Sequence, residues 1–434
     1  MAEIRKDRSN KKILKAYDRF VPHQFLSLLE KKSITDVELG DQVEKTMTIF
    51  FSDIRDFTTL SETMTPQENF LFLNSYLREM EPAIGRHHGI IDKYVGDAIM
   101  ALFPTAADDA LDSALDTLRR LRSFNRQRER AGGKPIAIGI GLNTGLMMLG
   151  TIGGTSRMEG TVISDAVNLA ARIESMTKIY GTAILISEHT LYSLKRPSRY
   201  HIRFIDRVRV KGKIQPQSIY EVFDLDPPAI RKAKKNSREI FEDALAHYHF
   251  RQIPKAEVLL RRCLRMNPED VPARIYLERC RRFMKDGIHE GTGEADQTIR
   301  WTDDFRIGQP VIDGQHEELF RLTAELLESV RGGRRQKDIG EALAFLDSYV
   351  GTHFKTEEDC MLQCGYPFYG TQKMQHERFE KYFRKLKKEI AALKKNRLYF
   401  MFRMQILVVD WLVSHTSRED RHFGRFMKQR NTSC

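Results

Sequence analysis

The sequence has no long uncharged apolar run, and cysteine is scarce. A helix crossing a bilayer needs roughly 20 consecutive apolar residues. The best candidate, Met401 to Val413, carries Arg403, Gln405 and Asp410, which argues against a helical membrane span. The chain starts MAEIRKDRSNKK, without the apolar stretch of a secretory signal. Five cysteines scattered over 434 residues, an odd number, do not make a disulfide framework. They point to a reducing, cytoplasmic setting. What is present is a globular composition, with 41% apolar and 30% charged residues, enough to bury real cores. At roughly 150 residues per domain, the length predicts about three domains.

Lys and Arg number 71 against 59 for Asp and Glu, a formal net charge of +12. Such an excess invites a nucleic-acid reading. The positive residues, however, fall on charge-mixed helical stretches: Arg261-Arg262, Arg279 with Arg281-Arg282, and Lys385 with Lys387-Lys388. No aromatic-interleaved groove or zinc-finger spacing accompanies them, so solvated helix faces are expected rather than nucleic-acid contact.

Four segments follow from the texture of the chain. Residues 1–43 read as a helical segment, with Ile13, Leu14, Tyr17, Phe20 and Val21 as an apolar stripe before Pro22 and a second piece at Phe25 to Leu29. Residues 44–226 alternate strands and helices, an α+β or α/β pattern. MTIFFSDI is a strand running into a loop, IIDKYVGDAIMALF two strands around Gly96-Asp97, and IAIGIGLNTGLMMLG a strand and turn. Helices are expected over NFLFLNSYLREMEPAIGRHHG, Asp108 to Arg130 and Ser164 to Tyr180, and Asp226-Pro227-Pro228 marks a boundary. Residues 230–290 read as a basic helical connector, followed by a hinge, HEGTGEADQ. Residues 300–430 hold long helical patterns that fit a four-helix bundle.

Asp53 ends a strand and Asp97 sits in the turn between two others. Carboxylates at strand ends suit hard metal ions, and a pair of ions suits phosphoryl chemistry. FSDIRDFTTLSE, IIDKYVGDAIMALF, TVISDAVNLAARIE and VRVKGK together resemble the class III adenylate/guanylate cyclase catalytic domain over about residues 44–225. The resemblance implies a ferredoxin-like core and a head-to-tail homodimer with sites at the interface. It implies that Asp53 and Asp97 bind two Mg²⁺ or Mn²⁺ ions and that Lys93 and Thr161 read adenine. A lysine ammonium can donate to adenine N1, where guanine presents a donor instead. It further implies that Asn168 orients the ribose, that Arg172 stabilises the transition state, and that Lys211 binds polyphosphate beside backbone amides between Ile54 and Phe57. The family often has Gly where this chain has Asp56, an extra negative charge beside a triphosphate.

The helical third of the chain carries His316, His353 with Glu357, His376, and His415 with Asp420. His353 and Glu357, four apart, share one helix face, as an inward-facing metal pair should. Trp301, Ile312-Asp313-Gly314-Gln315-His316, His353-Phe354-x-x-Glu357-Glu358, Gly365-Tyr366-Pro367 and His415-x-x-x-x-Asp420 resemble the bacterial hemerythrins over about residues 300–428. That implies a non-haem di-iron centre bridged by Glu357 and Asp420, with His316 and His353 on one iron and His376 and His415 on the other. Asp420 lies five residues after His415, about 140° away on an ideal helix, so spacing alone does not pair them. The family has His-x-x-x-His where this chain has Gln372-x-x-x-His376. Gln372 would offer a carbonyl oxygen, or leave its position to water. Cys360 and Cys364 read as buried helix residues.

The connector stretch FEDALAHYHFRQIPKAEVLLRRCLRMNPED resembles a tetratricopeptide unit, with Ala244, Tyr248, Ala256 and Pro268 near the expected places, although a single unit forms no solenoid. Such a unit suits a protein partner. The whole reads as a cytoplasmic, homodimeric adenylate cyclase making cyclic AMP from ATP under an oxygen- or redox-responsive di-iron domain. The alternatives are a guanylate cyclase, or a protein that binds iron or dioxygen and carries a vestigial cyclase domain.

Overall fold

A computed structural model describes residues 23–154, 157–209, 216–287, 299–331, 336–392 and 397–430. The apolar stripe from Ile13 to Val21, the 289–297 hinge and Lys211 lie outside the described residues. The chain divides into two compact units. The first runs to Ile202 and includes Ile219–Pro227. The second takes Arg203–Ser218 and everything from Pro228 onward.

The first unit contains, in chain order, α1 (His23–Leu28), β1 (Gln42–Ile54), α2 (Phe57–Ser61), α3 (Pro66–Arg86), β2 (Ile90–Val95), β3 (Ala98–Phe103), α4 (Ala107–Arg130), β4 (Ile138–Gly154), β5 (Arg157–Ile163), α5 (Asp165–Tyr180), β6 (Ile184–Ser187) and α6 (Glu188–Ser193). β7 (Ile202–Arg209) and β8 (Pro216–Val222) follow. The sheet path runs β2-β3-β1-β4-β6-β8, with β5 paired to β4. β1 lies near the centre because Ile49 and Phe50 are fully buried and Met47 nearly so. Both its neighbours, β3 and β4, run antiparallel to it.

Helix ends follow local chemistry. Thr65 and Glu68 form a capping box before Pro66 at the start of α3. Ser164 accepts from the Ala166 amide to open α5, and Gly181 closes that helix in a left-handed conformation, φ 60°.

Two sequence expectations change in detail. The first described helix is short and gives way to a 3₁₀ turn at Ile34–Asp36 with its own capping box. Phe25 and Leu28 of this helix, with Leu29 just after it, join Met47, Ile49 and Leu149 in a core cluster. The segment read as a strand and turn is one continuous 17-residue strand, β4. Asn143, Thr144 and Gly145 look like turn residues but stay in the ladder with β1. Asn143 tolerates burial there because its amide donates to the Ala166 carbonyl, 2.9 Å.

The second unit is mostly helical: α7 (Pro228–His249), α8 (Ile253–Met266), α9 (Val271–Asp286), α10 (Pro310–Arg331), α11 (Gln336–Gln363), α12 (Tyr369–Ala392) and α13 (Arg397–Met404). α14 (Asp410–His415) and α15 (Arg421–Arg430) continue that last helix through two π turns, Gln405–Val409 and Thr416–Asp420. Ala244, Tyr248 and Ala256 are fully buried.

Three of this unit's acid–base pairs involve its own part of β7. Arg203 makes a bidentate bond to Asp270, 2.7 and 3.0 Å, with both side chains fully buried. Asp206 pairs with Arg279 at 2.6 Å, and Arg207 with Asp410 at 2.6 Å. Arg279 therefore does not sit on a solvated face, since it also covers the Tyr276 ring. Arg261, Arg281 and Arg282 are exposed and pair along their own helices with Glu257 and Glu278.

Candidate functional site

Asp53, the penultimate residue of β1, and Asp97, in the turn after Gly96 (φ 64°), converge on one amide. The Ile54 N–H lies 3.1 Å from Asp53 Oδ1 and 3.1 Å from Asp97 Oδ2. Burial, reinforced by Asp53, pushes the Asp97 carboxyl up to about 7. Two half-buried carboxylates forced together in this way form an acceptor set that lacks positive charge, which fits hard divalent cations. The Ile54 amide expected at a triphosphate is thus already engaged by the two aspartates.

Lys93 on β2 and Thr161 on β5 meet within the chain, Nζ to Oγ1 at 3.4 Å. Glu159 Oε1 lies 3.4 Å and Asp92 Oδ2 3.5 Å from the same ammonium. Among the described residues, no hydrogen bond or ion pair within the chain joins Lys93 or Thr161 to Asp53 or Asp97. Asn168 is exposed and Arg172 half-buried, and both sit on α5. That helix presses on β4 at its glycines. A Cβ on Gly141 would meet the Glu174 nitrogen at 2.3 Å and the Ala170 oxygen at 2.6 Å.

Phe57 opens α2, and its ring stacks on Phe72, with centroids 6.4 Å apart. Asp56, left-handed at φ 55°, has its charge met by Lys178, 2.6 Å away on α5. The hydrogen bond and charge of Lys178 hold the Asp56 carboxyl below the usual range. The extra negative charge in the loop is therefore paired.

One residue escaped the sequence reading. Glu174 Oε1 occupies the space over Gly139, 2.6 Å from where a Cβ would stand, and Gly139 is the direct partner of Asp53 across the ladder. Opposed residues of an antiparallel pair face the same side of the sheet. Glu174 is thus a third carboxylate on the aspartates' side. Burial, then Asp53, pushes it up to about 7, partly offset by Arg55. Its spacing from Arg172 on the helix gave no hint, because Gly139 creates the room.

In the second unit the imidazoles and carboxylates gather in one buried cluster. His316 Nε2 is 3.2 Å from Asp420 Oδ2 and 3.4 Å from Glu357 Oε1. His353 Nε2 is 3.6 Å, and His376 Nε2 3.4 Å, from Glu357 Oε2. His415 Nε2 is 3.1 Å from Asp420 Oδ1 and 3.0 Å from His376 Nε2. These ligand atoms form two groups able to hold a metal, His316-His353-Glu357 and Glu357-His376-His415, with Glu357 common to both. Both Glu357 oxygens, Asp420 Oδ2 and His316 Nε2 are buried and face one another without a well-aligned hydrogen bond. Orphaned acceptors in such a place fit a dinuclear cation site, and imidazole with carboxylate suits iron.

The outer nitrogens are held as metal-bound histidines require. His353 Nδ1 meets Gln315 at 3.2 Å, His376 Nδ1 meets Glu358 at 3.0 Å and His415 Nδ1 meets Gln375 at 3.3 Å. Phe354 stacks on His376 at 3.9 Å, and Trp411 on His415 at 4.4 Å. The five-residue interval from His415 to Asp420 is resolved by the Thr416–Asp420 π turn, which places residues five apart on one face. Gln372, 2% exposed, donates from Nε2 to Asp420 Oδ1 at 2.6 Å. Cys360 is buried and Cys364 is a free, partly buried thiol.

Residues 40–223 match the family model of the adenylate and guanylate cyclase catalytic domain, and residues 308–426 that of the hemerythrin HHE cation binding domain. The chain thus carries a catalytic domain of the class III cyclase family, followed by a domain of the hemerythrin family. An adenylate cyclase of Anabaena cylindrica is 47% identical over 218 residues, covering 49% of this chain and 43% of the relative. A terminal-differentiation-specific adenylate cyclase of Dictyostelium discoideum is 37% identical, covering 60% of this chain and 12% of the relative. The crystal structure of the adenylyl cyclase CyaB from P. aeruginosa shares 36% identity with a TM-score of 0.38, covering 42% of this chain and 96% of that one. The chain spans less than half the length of these two curated relatives. No helix among the described residues is long and apolar enough to cross a membrane.

Proposed function

We propose that this protein is a cytoplasmic adenylate cyclase that converts ATP to 3′,5′-cyclic AMP and pyrophosphate in a head-to-tail homodimer. In this reading the sheet unit is a ferredoxin-like core, the three helices from Pro228 a tetratricopeptide-like connector, and the last helices a four-helix bundle with a di-iron centre. The observation that carries the substrate assignment is the Lys93–Thr161 contact, 3.4 Å. It sets a cationic donor beside a hydroxyl, which suits the N1 acceptor and N6 amino group of adenine and leaves the N1–H of guanine facing a donor.

Asp53 and Asp97 of one protomer would hold two Mg²⁺ or Mn²⁺ ions, which would supply positive charge to lower the pKa of the ribose 3′-hydroxyl and to offset the polyphosphate. Lys93, Thr161, Asn168, Arg172 and Lys211 of the partner protomer complete the site. Asn168 orients the ribose, and Lys211, with backbone amides of the Ile54 to Phe57 loop, holds the polyphosphate. The 3′-oxygen passes its proton to water and bonds to the α-phosphorus as the bond to the bridging oxygen breaks, so pyrophosphate leaves. Arg172 donates to the α-phosphate oxygens as charge grows there, an interaction often worth about 3 kcal/mol.

The bundle would hold iron through His316 and His353 on one side and His376 and His415 on the other, with Glu357 and Asp420 between them, and the metal would supply a site for dioxygen or redox chemistry. The centre responds to dioxygen or to redox state and sets the cyclase rate. Support for coupling comes from the second unit itself. Asp410, shortly before His415 on the same helical run, is the buried partner of Arg207, which shortly precedes Lys211 in the chain.

Turnover of Mn–ATP and Mn–GTP by the purified chain tests the assignment. ATP is preferred, and Lys93→Glu with Thr161→Cys erodes that preference. An unchanged preference removes both residues from base reading. Equal cyclase rates for anaerobic ferrous and air-oxidised protein would sink the regulatory part.

A further inference from the structure

The position that departs from the family pattern also has the clearest chemistry of its own. Gln372 is almost fully buried and lies 2.6 Å from Asp420 Oδ1. A carboxylate oxygen can only accept, so the atom facing it is the amide nitrogen, whichever way the side chain is drawn. Turning the amide over would press two acceptors together in a buried cluster.

The same Asp420 oxygen stands 3.1 Å from His415 Nε2, and that nitrogen is 3.0 Å from His376 Nε2. Asp420 Oδ1 therefore belongs to the His376–His415 half of the centre. Gln372 contacts this ligand oxygen and stands one bond further out. The protein then offers each half two imidazoles and a share of Glu357 and Asp420: His316 with His353, and His376 with His415. Four donors do not fill the sphere of an iron ion that prefers five or six.

We infer that Gln372 is not an iron ligand but the hydrogen-bond donor that fixes Asp420, and that the iron beside His376 and His415 keeps a position for a small exogenous anion. This rests on the di-iron reading above. The bond draws electron density from the Asp420 carboxylate and holds its orientation, as partners of metal ligands commonly do. Phe354 and Trp411, stacked on His376 and His415, give those two rings apolar flanks.

The test uses the full chain, loaded with iron, oxidised, and titrated with azide while the charge-transfer absorption is followed. Iron is measured per chain first. Two irons, with an azide band that grows to saturation, is the expected result. In Gln372→Leu, which has neither donor nor acceptor, two irons remain, affinity for iron drops by about tenfold, and the charge-transfer band shifts. In Gln372→His, a new imidazole fills the open position and azide binding weakens by about tenfold or more. Gln372→Met, also unable to donate, repeats the leucine arm if that variant folds poorly. Loss of one iron in the Leu or Met variant would make Gln372 a ligand and overturn the inference. Two irons with no azide response, or an azide affinity in Gln372→His equal to that of the wild type, would overturn it while leaving the di-iron centre standing. A wild-type chain that takes up no iron overturns both.

Discussion

Replacing Gly141 with alanine tests whether α5, the helix of Asn168 and Arg172, owes its place to a missing side chain. The added Cβ would stand 2.3 Å from the Glu174 nitrogen, 2.6 Å from the Ala170 oxygen and 2.7 Å from the Glu174 Cα. All three are backbone atoms, so no rotamer change relieves the overlap. Ordinary contact needs about 3.5 Å, so α5 must retreat from β4 by about 1 Å or the strand must give by as much. Overpacking of this kind costs about 1–3 kcal/mol. Because Asn168 and Arg172, proposed to act beside the partner protomer's aspartates, and Glu174, on the side of this protomer's own Asp53, all ride on α5, the same shift displaces all three. A misplacement of about 1 Å is worth roughly a hundredfold in rate. The assay is kcat with saturating Mn–ATP, next to a thermal melt. Gly85→Ala serves as control, since nothing lies within 4 Å of its Cβ and it sits within α3. Gly141→Ala should lose about two orders of magnitude in kcat while remaining folded at assay temperature. A folded Gly141→Ala enzyme with wild-type kcat would refute the claim that close packing of α5 on β4 positions the catalytic groups.

Three further outcomes are expected. Arg172→Ala protein, itself nearly inactive, regains cyclase activity when mixed with Asp53→Ala protein, because each heterodimer contains one intact shared site; heterodimers without recovery would exclude sharing. Glu174→Gln raises the free Mn²⁺ concentration needed for half-maximal rate several-fold, with kcat recovering at high Mn²⁺, whereas an unshifted metal requirement would reduce Glu174 to a packing residue. Iron uptake by metal-free protein strengthens with pH. Burial opposes protonation of His316 and His376, yet Asp420 and Glu357 raise His316 to about 10, and Glu357 and Glu358 raise His376 to about 9. Both values exceed the ordinary 6.5, so both rings are protonated at neutral pH. They stabilise the metal-free fold fully below about 6.5, and that contribution fades as pH climbs through 9 to 10. Iron must displace these protons, so calorimetry in buffers of different ionisation enthalpy should register proton release, and pH-independent uptake would contradict the charge state.

What the sequence made legible depended on how local each signal was. Asp53 and Asp97 could be picked out because a strand end and a Gly-Asp turn are written in adjacent residues. His353 and Glu357 were readable from a spacing that matches the α-helical turn. His415 and Asp420 were not, because their spacing fits a π turn, and only the helix's actual hydrogen bonding shows it. Glu174 was invisible for another reason. Its importance comes from an absent side chain on Gly139, a residue paired to Asp53 across two strands. The charge of Asp56 looked misplaced until Lys178, remote in sequence, was found beside it. Arg279 was misread as solvated because its partner, Asp206, lies in a strand far back in the chain.

The Thr416–Asp420 π turn also has a consequence for chain length. A π turn accommodates one more residue than an α turn without rotating the helix that follows. This helix therefore carries a surplus residue at that point. Removing one of Thr416, Ser417, Arg418 or Glu419 would leave His415 and Asp420 four apart on a regular helix, and Phe423 and Met427 would still face their core cluster. Removing a residue elsewhere along α11 or α12 would swing the downstream ligand by about 100°. The candidate metal site thus tolerates a deletion at a point that lies between two of its own proposed ligands.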